Sequence, residues 1–187
     1  MASNSQIENG KILPKWGILG AGAMGWLWTY YLQRAKIGTL LLQRQNTSYR
    51  ECIIQKDNIF ENCRTSAIKS DNPCLPALDA LIIATKAYSV KSALLPLQEV
   101  LSSKQIPIIL LQNGLGVFEE VRQLLPEQPI LILSTSNGAY WHESAFLKLT
   151  GIGSSYFGTL DNSVPDSLKK ILLKQLKATG LPVLFTD

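Results

Sequence analysis

The chain has 187 residues, 46% apolar and 17% charged, a length for one α/β domain and a composition that excludes disordered and collagen-like classes. Its net charge of +4 and pI near 9.0 favour an anionic small ligand but are too mild and scattered for a nucleic-acid surface. Three cysteines without CxxC spacing and a single histidine, His142, argue against a disulfide framework and a zinc site. The polar stretch Met1 to Gly10 lacks a signal-peptide core, and no apolar run approaches the ~20 residues of a membrane span. The expected setting is therefore a reducing cytoplasm, with neither membrane nor nucleic acid as partner.

After a polar tail over 1–14, residues 15–187 read as one domain in which apolar runs and helical stretches alternate. Trp16 to Leu19 is a short apolar run, Met24 to Ala35 a helix ended by Gly38, and Thr39 to Gln43 the next strand. Tyr49 to Ile68 is ambiguous. Its Ile53-Ile54 and Ile59-Phe60 pieces, separated by Lys56-Asp57-Asn58, suggest a small hairpin. Ala80 to Thr85, Ile106 to Leu111 and Ile130 to Leu133 are apolar on both faces, as buried parallel strands should be.

Between them, Val90 to Leu101 reads as a helix interrupted near Pro96, and Val117 to Leu125 as a helix stopped before Pro126. Phe146 to Leu149 and Ser155 to Phe157 form two further strands, joined through Gly151 and Gly153. An amphipathic helix, Ser167 to Thr179, and a last strand, Leu181 to Phe185, follow. Strands alternating with helices imply right-handed βαβ units, hence a Rossmann-type, doubly wound α/β fold with a mainly parallel sheet. Ligands of such sheets bind at the carboxyl ends of the strands, which is where candidate residues are sought.

The first strand ends in Gly20-Ala21-Gly22-Ala23-Met24-Gly25, a GxGxxG motif that opens a helix. Gly20 permits a tight turn, Gly22 lets backbone approach a pyrophosphate, and Gly25 allows close helix–strand packing. The second strand ends at Gln43-Arg44, roughly 20 residues on, where NAD-preferring sites carry an acidic residue for the ribose. No Asp or Glu occurs between Gly20 and Arg50, so Arg44 is a candidate for a 2′-phosphate and the cofactor is read as NADP. Later strands run into Lys86, into Gln112-Asn113-Gly114 and into Ser134-Thr135-Ser136-Asn137. Each has a bland explanation as helix start, turn or cap. Together they place a cation and several hydrogen-bonding groups on one rim. Trp26, Trp28, Tyr30 and Tyr31 are assigned to helix packing, and the lysines of the last helix to a solvated face.

The order Gly20-Ala-Gly-Ala-Met-Gly25, Arg44, Ala84-Thr85-Lys86-Ala87-Tyr88, Leu111-Gln112-Asn113-Gly114-Leu115-Gly116 and Gly151-Ile-Gly153 closing on Phe157-Gly158 resembles the N-terminal domain of the ketopantoate reductase (2-dehydropantoate 2-reductase) family. The resemblance implies that the residues from Gly20 to Gly25 hold the pyrophosphate of NADPH and that Arg44 takes the 2′-phosphate. It also implies that Lys86 lies beside the cofactor, that Asn113 lies near nicotinamide and substrate, and that Ala139 lines the cofactor cleft. Lys86 and Asn113 are thus the catalytic candidates within this chain. The implied reaction reduces ketopantoate to pantoate, on the way to pantothenate and coenzyme A. The sequence departs from the family at Leu149, where many members carry His.

The family's catalytic Lys and several substrate-binding residues lie in a helical C-terminal domain, for which residues up to Asp187 leave no segment. The chain is accordingly expected to be inactive alone, with a keto-acid substrate and with a C-terminal domain, a second chain or a homo-oligomer as partner. Competing readings are a non-catalytic NADP-binding or partner-docking module, and another β-hydroxyacid dehydrogenase.

Overall fold

The computed structural model describes residues 16–72, 74–112, 115–143 and 146–186, with the paired segments β1 (Ile7–Glu8) and β2 (Lys11–Ile12) before them. In chain order the elements are β3 (Trp16–Leu19), α1 (Ala23–Arg34), β4 (Thr39–Gln43), β5 (Tyr49–Lys56), β6 (Ile59–Lys69), β7 (Ala80–Ile83), α2 (Val90–Leu94), α3 (Gln98–Lys104) and β8 (Ile108–Leu110). Then come α4 (Leu115–Leu124), β9 (Ile130–Thr135), β10 (Gly138–Glu143), β11 (Phe146–Gly151), β12 (Ser155–Gly158), α5 (Asp166–Ala178) and β13 (Val183–Thr186).

From β3 onward the strands form one sheet, in the order β10-β11-β5-β6-β4-β3-β7-β8-β9-β12-β13. The central neighbours β6-β4-β3-β7-β8-β9 all pair parallel, while β5–β6, β10–β11 and β9–β12 are antiparallel. Alternate residues of the central strands serve two cores. Ile18, Leu41, Ile82 and Ile109 share one buried cluster with α1 and α5, whereas Leu19, Leu42, Ile83 and Leu110 share the other with α2, α3 and α4. This two-faced burial is why those strands read as continuous apolar runs, and it makes the domain doubly wound. Trp16 Nε1 donates to Gln175 Oε1 at 2.6 Å, and Gln175 Nε2 to Asp79 Oδ2 at 2.9 Å, which ties α5 to the start of the central strands.

α1 is enclosed rather than merely laid on the sheet. All eight residues from Gly25 to Leu32 are buried, and Trp26 and Trp28 are fully so. Only Ser136 and Asn137 separate β9 from β10, yet β10 lies at the far edge of the sheet. The sheet must therefore curl until its β10–β11 edge reaches the end of β9, and α1 fills the curl in contact with β3, β4, β10 and β11. A helix buried on every side must be apolar on every side, which explains the tryptophans and tyrosines of this segment.

Three expectations change. The small hairpin is a long one, β5–β6, paired from Tyr49↔Ser66 to Lys56↔Ile59 through Asp57 and Asn58. Its buried positions include Cys52, Cys63, Thr65 and Ala67, residues too small or polar to give a strong alternating signal. The helix Val90 to Leu101 is divided into α2 and α3 by a 3-10 turn, Leu95–Leu97, because Pro96 lacks an N–H and its ring blocks the preceding turn. β10 is an additional strand, and it pairs with β11, which also pairs with β5.

Candidate functional site

The carboxyl ends of β3, β4, β7 and β8 are joined by backbone bonds that continue the ladder: Gly20 N–H to Leu42 O, Ala84 N–H to Leu19 O and Leu111 N–H to Ile83 O. Gly20 has φ +116°, and a Cβ there would sit 3.0 Å from backbone atoms of Ala84 and Thr85. A Cβ on Gly25 would meet Gly20 O at 2.0 Å. Both glycines are therefore dictated by the protein's own packing. Gly22 differs. Its φ of −77° and ψ of 179° suit any residue, and a Cβ would find nothing within 4 Å.

α1 begins at Ala23, and its first intrahelical bond runs from Trp26 N–H to Gly22 O. The amides of Ala23, Met24 and Gly25 thus lack an intrahelical carbonyl, and no acidic residue stands in the first turn. Open space beside the Gly22 backbone and unneutralised amides fit a dinucleotide pyrophosphate.

A cleft of about 730 Å³ opens beside this turn, lined in part by Gly20, Ala21, Gly22, Arg44, Arg50, Thr85, Lys86 and Tyr88. Among the described residues its charged lining residues are Arg44, Arg50 and Lys86, and no carboxylate lines it. The structure thus brings Gly20, Ala21, Gly22, Arg44 and Lys86 together. Ala23, Met24, Gly25 and Ala139 do not line the cleft. Ala23, Met24 and Ala139 pack against the α1–α5 core instead. Asn113 lies outside the described residues.

Sequence reasoning gave no role to Arg50 or Tyr88, and placed Gln112 on the rim without its bracing role. Arg50, six residues past Arg44, returns to the same cleft as the second residue of β5. Its signal was a second cation across a short strand connection. Tyr88, 87% exposed, stands at the rim two residues after Lys86. Gln112 braces the Lys86 loop, its Nε2 donating to Ile83 O at 2.9 Å and Thr85 O at 2.7 Å. Gln112 Oε1 and Thr85 Oγ1 are buried without a hydrogen-bond partner among the described residues.

Farther along the rim, the expectation of ligand-facing groups after β9 is corrected. Asn137 Nδ2 donates to Thr135 Oγ1 at 2.7 Å and Ser155 Oγ at 3.0 Å, and Asn137 Oδ1 accepts from Gly153 N–H at 2.9 Å. Ser155 Oγ also donates to Thr135 Oγ1 at 2.9 Å. Asn137 and Ser155 are buried, so this triad staples the end of β9 to the start of β12. On β5 and β6, burial pushes the Cys52 and Cys63 thiols up to about 12. No cluster of three metal-ligating side chains occurs among the described residues, and no helix among them is long and apolar enough to cross a membrane.

A glycine turn into a helix at the rim of a doubly wound, mainly parallel sheet defines a Rossmann-type α/β domain. The profile described as ketopantoate reductase PanE/ApbA matches residues 16–162, so the chain belongs to that family. It is 30% identical over 141 residues to a 2-dehydropantoate 2-reductase of Vibrio cholerae, covering 75% of this chain and 46% of that protein. A 2-dehydropantoate 2-reductase of Listeria innocua is 29% identical over 164 residues, covering 83% and 53%. The chain thus spans about half the length of these curated relatives.

Among solved structures, a 2-dehydropantoate 2-reductase of Geobacter metallireducens superposes with a TM-score of 0.79 at 20% identity, covering 92% of this chain and 58% of that one. The ternary structure of D-mandelate dehydrogenase with NADH and anilino(oxo)acetate gives 0.79 at 23%, covering 92% and 57%. These likenesses concern the fold.

Proposed function

We propose that the chain is the NADPH-binding part of a 2-dehydropantoate 2-reductase-like oxidoreductase. The observation that carries this reading is the carboxylate-free cleft at the Gly20–Gly22 turn, walled by Arg44 and Lys86, with open space where a Gly22 side chain would stand. Backbone amides at the start of α1 would hold the pyrophosphate, and Gly22 would let it approach. Arg44 would pair with the 2′-phosphate through charge-assisted hydrogen bonds. Lys86, positioned by the Gln112 brace on its loop, would place a positive charge beside the cofactor. Asn113 is assigned to the nicotinamide and substrate side by family resemblance.

When bound, the reduced nicotinamide supplies the hydride that, with a proton on oxygen, turns the 2-keto group of ketopantoate into the hydroxyl of pantoate. The Thr135–Asn137–Ser155 groups are already paired with one another, so among the described residues Lys86, with Tyr88, is a side-chain proton donor that this cleft offers. By the same resemblance Lys86 serves the cofactor side. The 187 residues alone are therefore expected to bind NADPH without reducing ketopantoate.

The test is calorimetric titration with NADPH and NADH, followed by NADPH oxidation with ketopantoate, with and without a separately produced C-terminal half of a relative. Preferential NADPH binding and turnover only with the added half are expected. Absence of NADPH binding would overturn the reading. A kcat of about 1 s⁻¹ or more for the chain alone would show a complete site and make Lys86 the leading general acid.

A further inference from the structure

We propose that Arg50 is a second arginine for the adenosine 2′-phosphate, and that Gln43 is the residue that positions it. This rests on the reading above that Arg44 takes that phosphate. β4 ends at Gln43 and β5 begins at Tyr49, both pairing with β6, so the short connection between them returns Arg50 to the cleft that Arg44 lines.

The Arg50 guanidinium is fixed but not neutralised. Its Nη1 donates to Gln43 Oε1 at 3.1 Å and to Gln45 Oε1, both uncharged amide oxygens. Gln43 is 5% exposed, and its own Nε2 is held by Thr47 Oγ1 at 2.7 Å and Gln45 O at 3.3 Å. The acceptor that aims Arg50 therefore has no other orientation in which its donors and acceptor are all satisfied. Among the described residues Arg50 forms no ion pair, and its Nε and Nη2 have no hydrogen-bond partner.

A guanidinium carries five N–H donors in a planar fork suited to phosphate. A phosphomonoester carries about −1.5 to −2 charges near neutral pH, more than one arginine balances. Two guanidiniums on one carboxylate-free cleft match that charge. A 2′-hydroxyl, as in NAD, offers neither the charge nor the extra acceptors. Arg50 is thus a specificity-determining residue for the 2′-phosphorylated dinucleotide.

The experiment titrates the chain calorimetrically with 2′,5′-ADP and with 5′-AMP, which differ by the 2′-phosphate. Arg50→Met, which keeps the aliphatic stem, should weaken 2′,5′-ADP about tenfold or more and leave 5′-AMP within about twofold. Arg50→Lys should recover part of the loss, and Gln43→Met should lose part of the preference with Arg50 intact. Circular dichroism establishes folding, and if Arg50→Met does not fold, Arg50→Lys with its smaller loss decides. If the wild-type chain prefers 2′,5′-ADP and folded Arg50 variants keep that preference while Arg44→Ala loses it, Arg50 has no such role and the NADP reading stands. If the wild-type chain does not distinguish the two nucleotides, the NADP reading fails, and Arg50 with it. Equal losses for both nucleotides would also overturn the assignment.

Discussion

Two stretches of the sheet rim carry polar residues in opposite states. Around β3, β4 and β7, Arg44, Arg50 and Lys86 face a cleft without a carboxylate, and the Gly22 backbone borders open space. Around β9 and β12, Thr135, Asn137 and Ser155 satisfy one another, and Asn137 and Ser155 are buried. Polar groups at a strand end serve either a ligand or the fold. What separates the two is whether their hydrogen bonds are already made, because an unpaired buried polar group costs roughly 1–3 kcal/mol. The open end should therefore respond to substitution in binding, and the paired end in stability.

The sharpest way to break this contrast is Gly22→Val. Its backbone angles tolerate a side chain and a Cβ there meets nothing within 4 Å, so the domain should fold, with a loss of stability of about 1 kcal/mol from replacing the N-cap glycine of α1. The isopropyl group would occupy the pyrophosphate path, and NADPH affinity should fall more than about 100-fold. Unaltered affinity in calorimetry would reduce the motif to a turn. Arg44→Ala comes next, with an expected loss of about 10- to 100-fold for NADPH and little change for NADH. Equal losses for both would remove its role at the 2′-phosphate.

On the paired end, Asn137→Ala leaves Thr135, Ser155 and Gly153 short of partners. It should destabilise the domain by about 1–3 kcal/mol while NADPH affinity stays within about twofold. A variant as stable as wild type but deficient in binding would place this triad in the ligand site after all.

The smallest effect is expected at Asp161. Burial pushes its carboxyl up, but hydrogen bonds from Ser163 and the Arg122 guanidinium, whose Nη2 lies 2.7 Å away, outweigh that and hold it below the usual range. A carboxylate with a lowered folded-state pKa stabilises above its unfolded pKa and loses that contribution as pH falls through the folded one. The pair is about a third exposed on the Asp side, so Asp161→Asn should cost no more than about 1 kcal/mol near pH 7. The difference from wild type should fade below about pH 4. Urea unfolding across pH would reveal a different mechanism if the gap widened in acid.

The central strands were legible because burial on both faces leaves uninterrupted apolar runs, as in Leu81-Ile82-Ile83 and Ile108-Ile109-Leu110. Arg44 and Lys86 were legible because a known topology says which strand ends matter. β10 was not, since an edge strand reading Gly-Ala-Tyr-Trp-His-Glu lacks alternation. The distinction between Asn137 and Arg44 was not legible either. It depends on partners 16 and 18 residues away, Gly153 and Ser155, that are set by strand pairing and not by local spacing.

The enclosure of α1 has a consequence for how the chain reaches its native state. The strand that closes the curl, β10, forms a local hairpin with β11, but β11 reaches the rest of the sheet only by pairing with β5, Phe146 opposite Ile53, across one of the longest loops in the domain. Such contacts form late, because loop-closure entropy must be met before they contribute. Until then the indoles of Trp26 and Trp28, made early in synthesis, have only part of their covering. The nascent chain therefore carries an adhesive apolar helix until β11 has been made and paired.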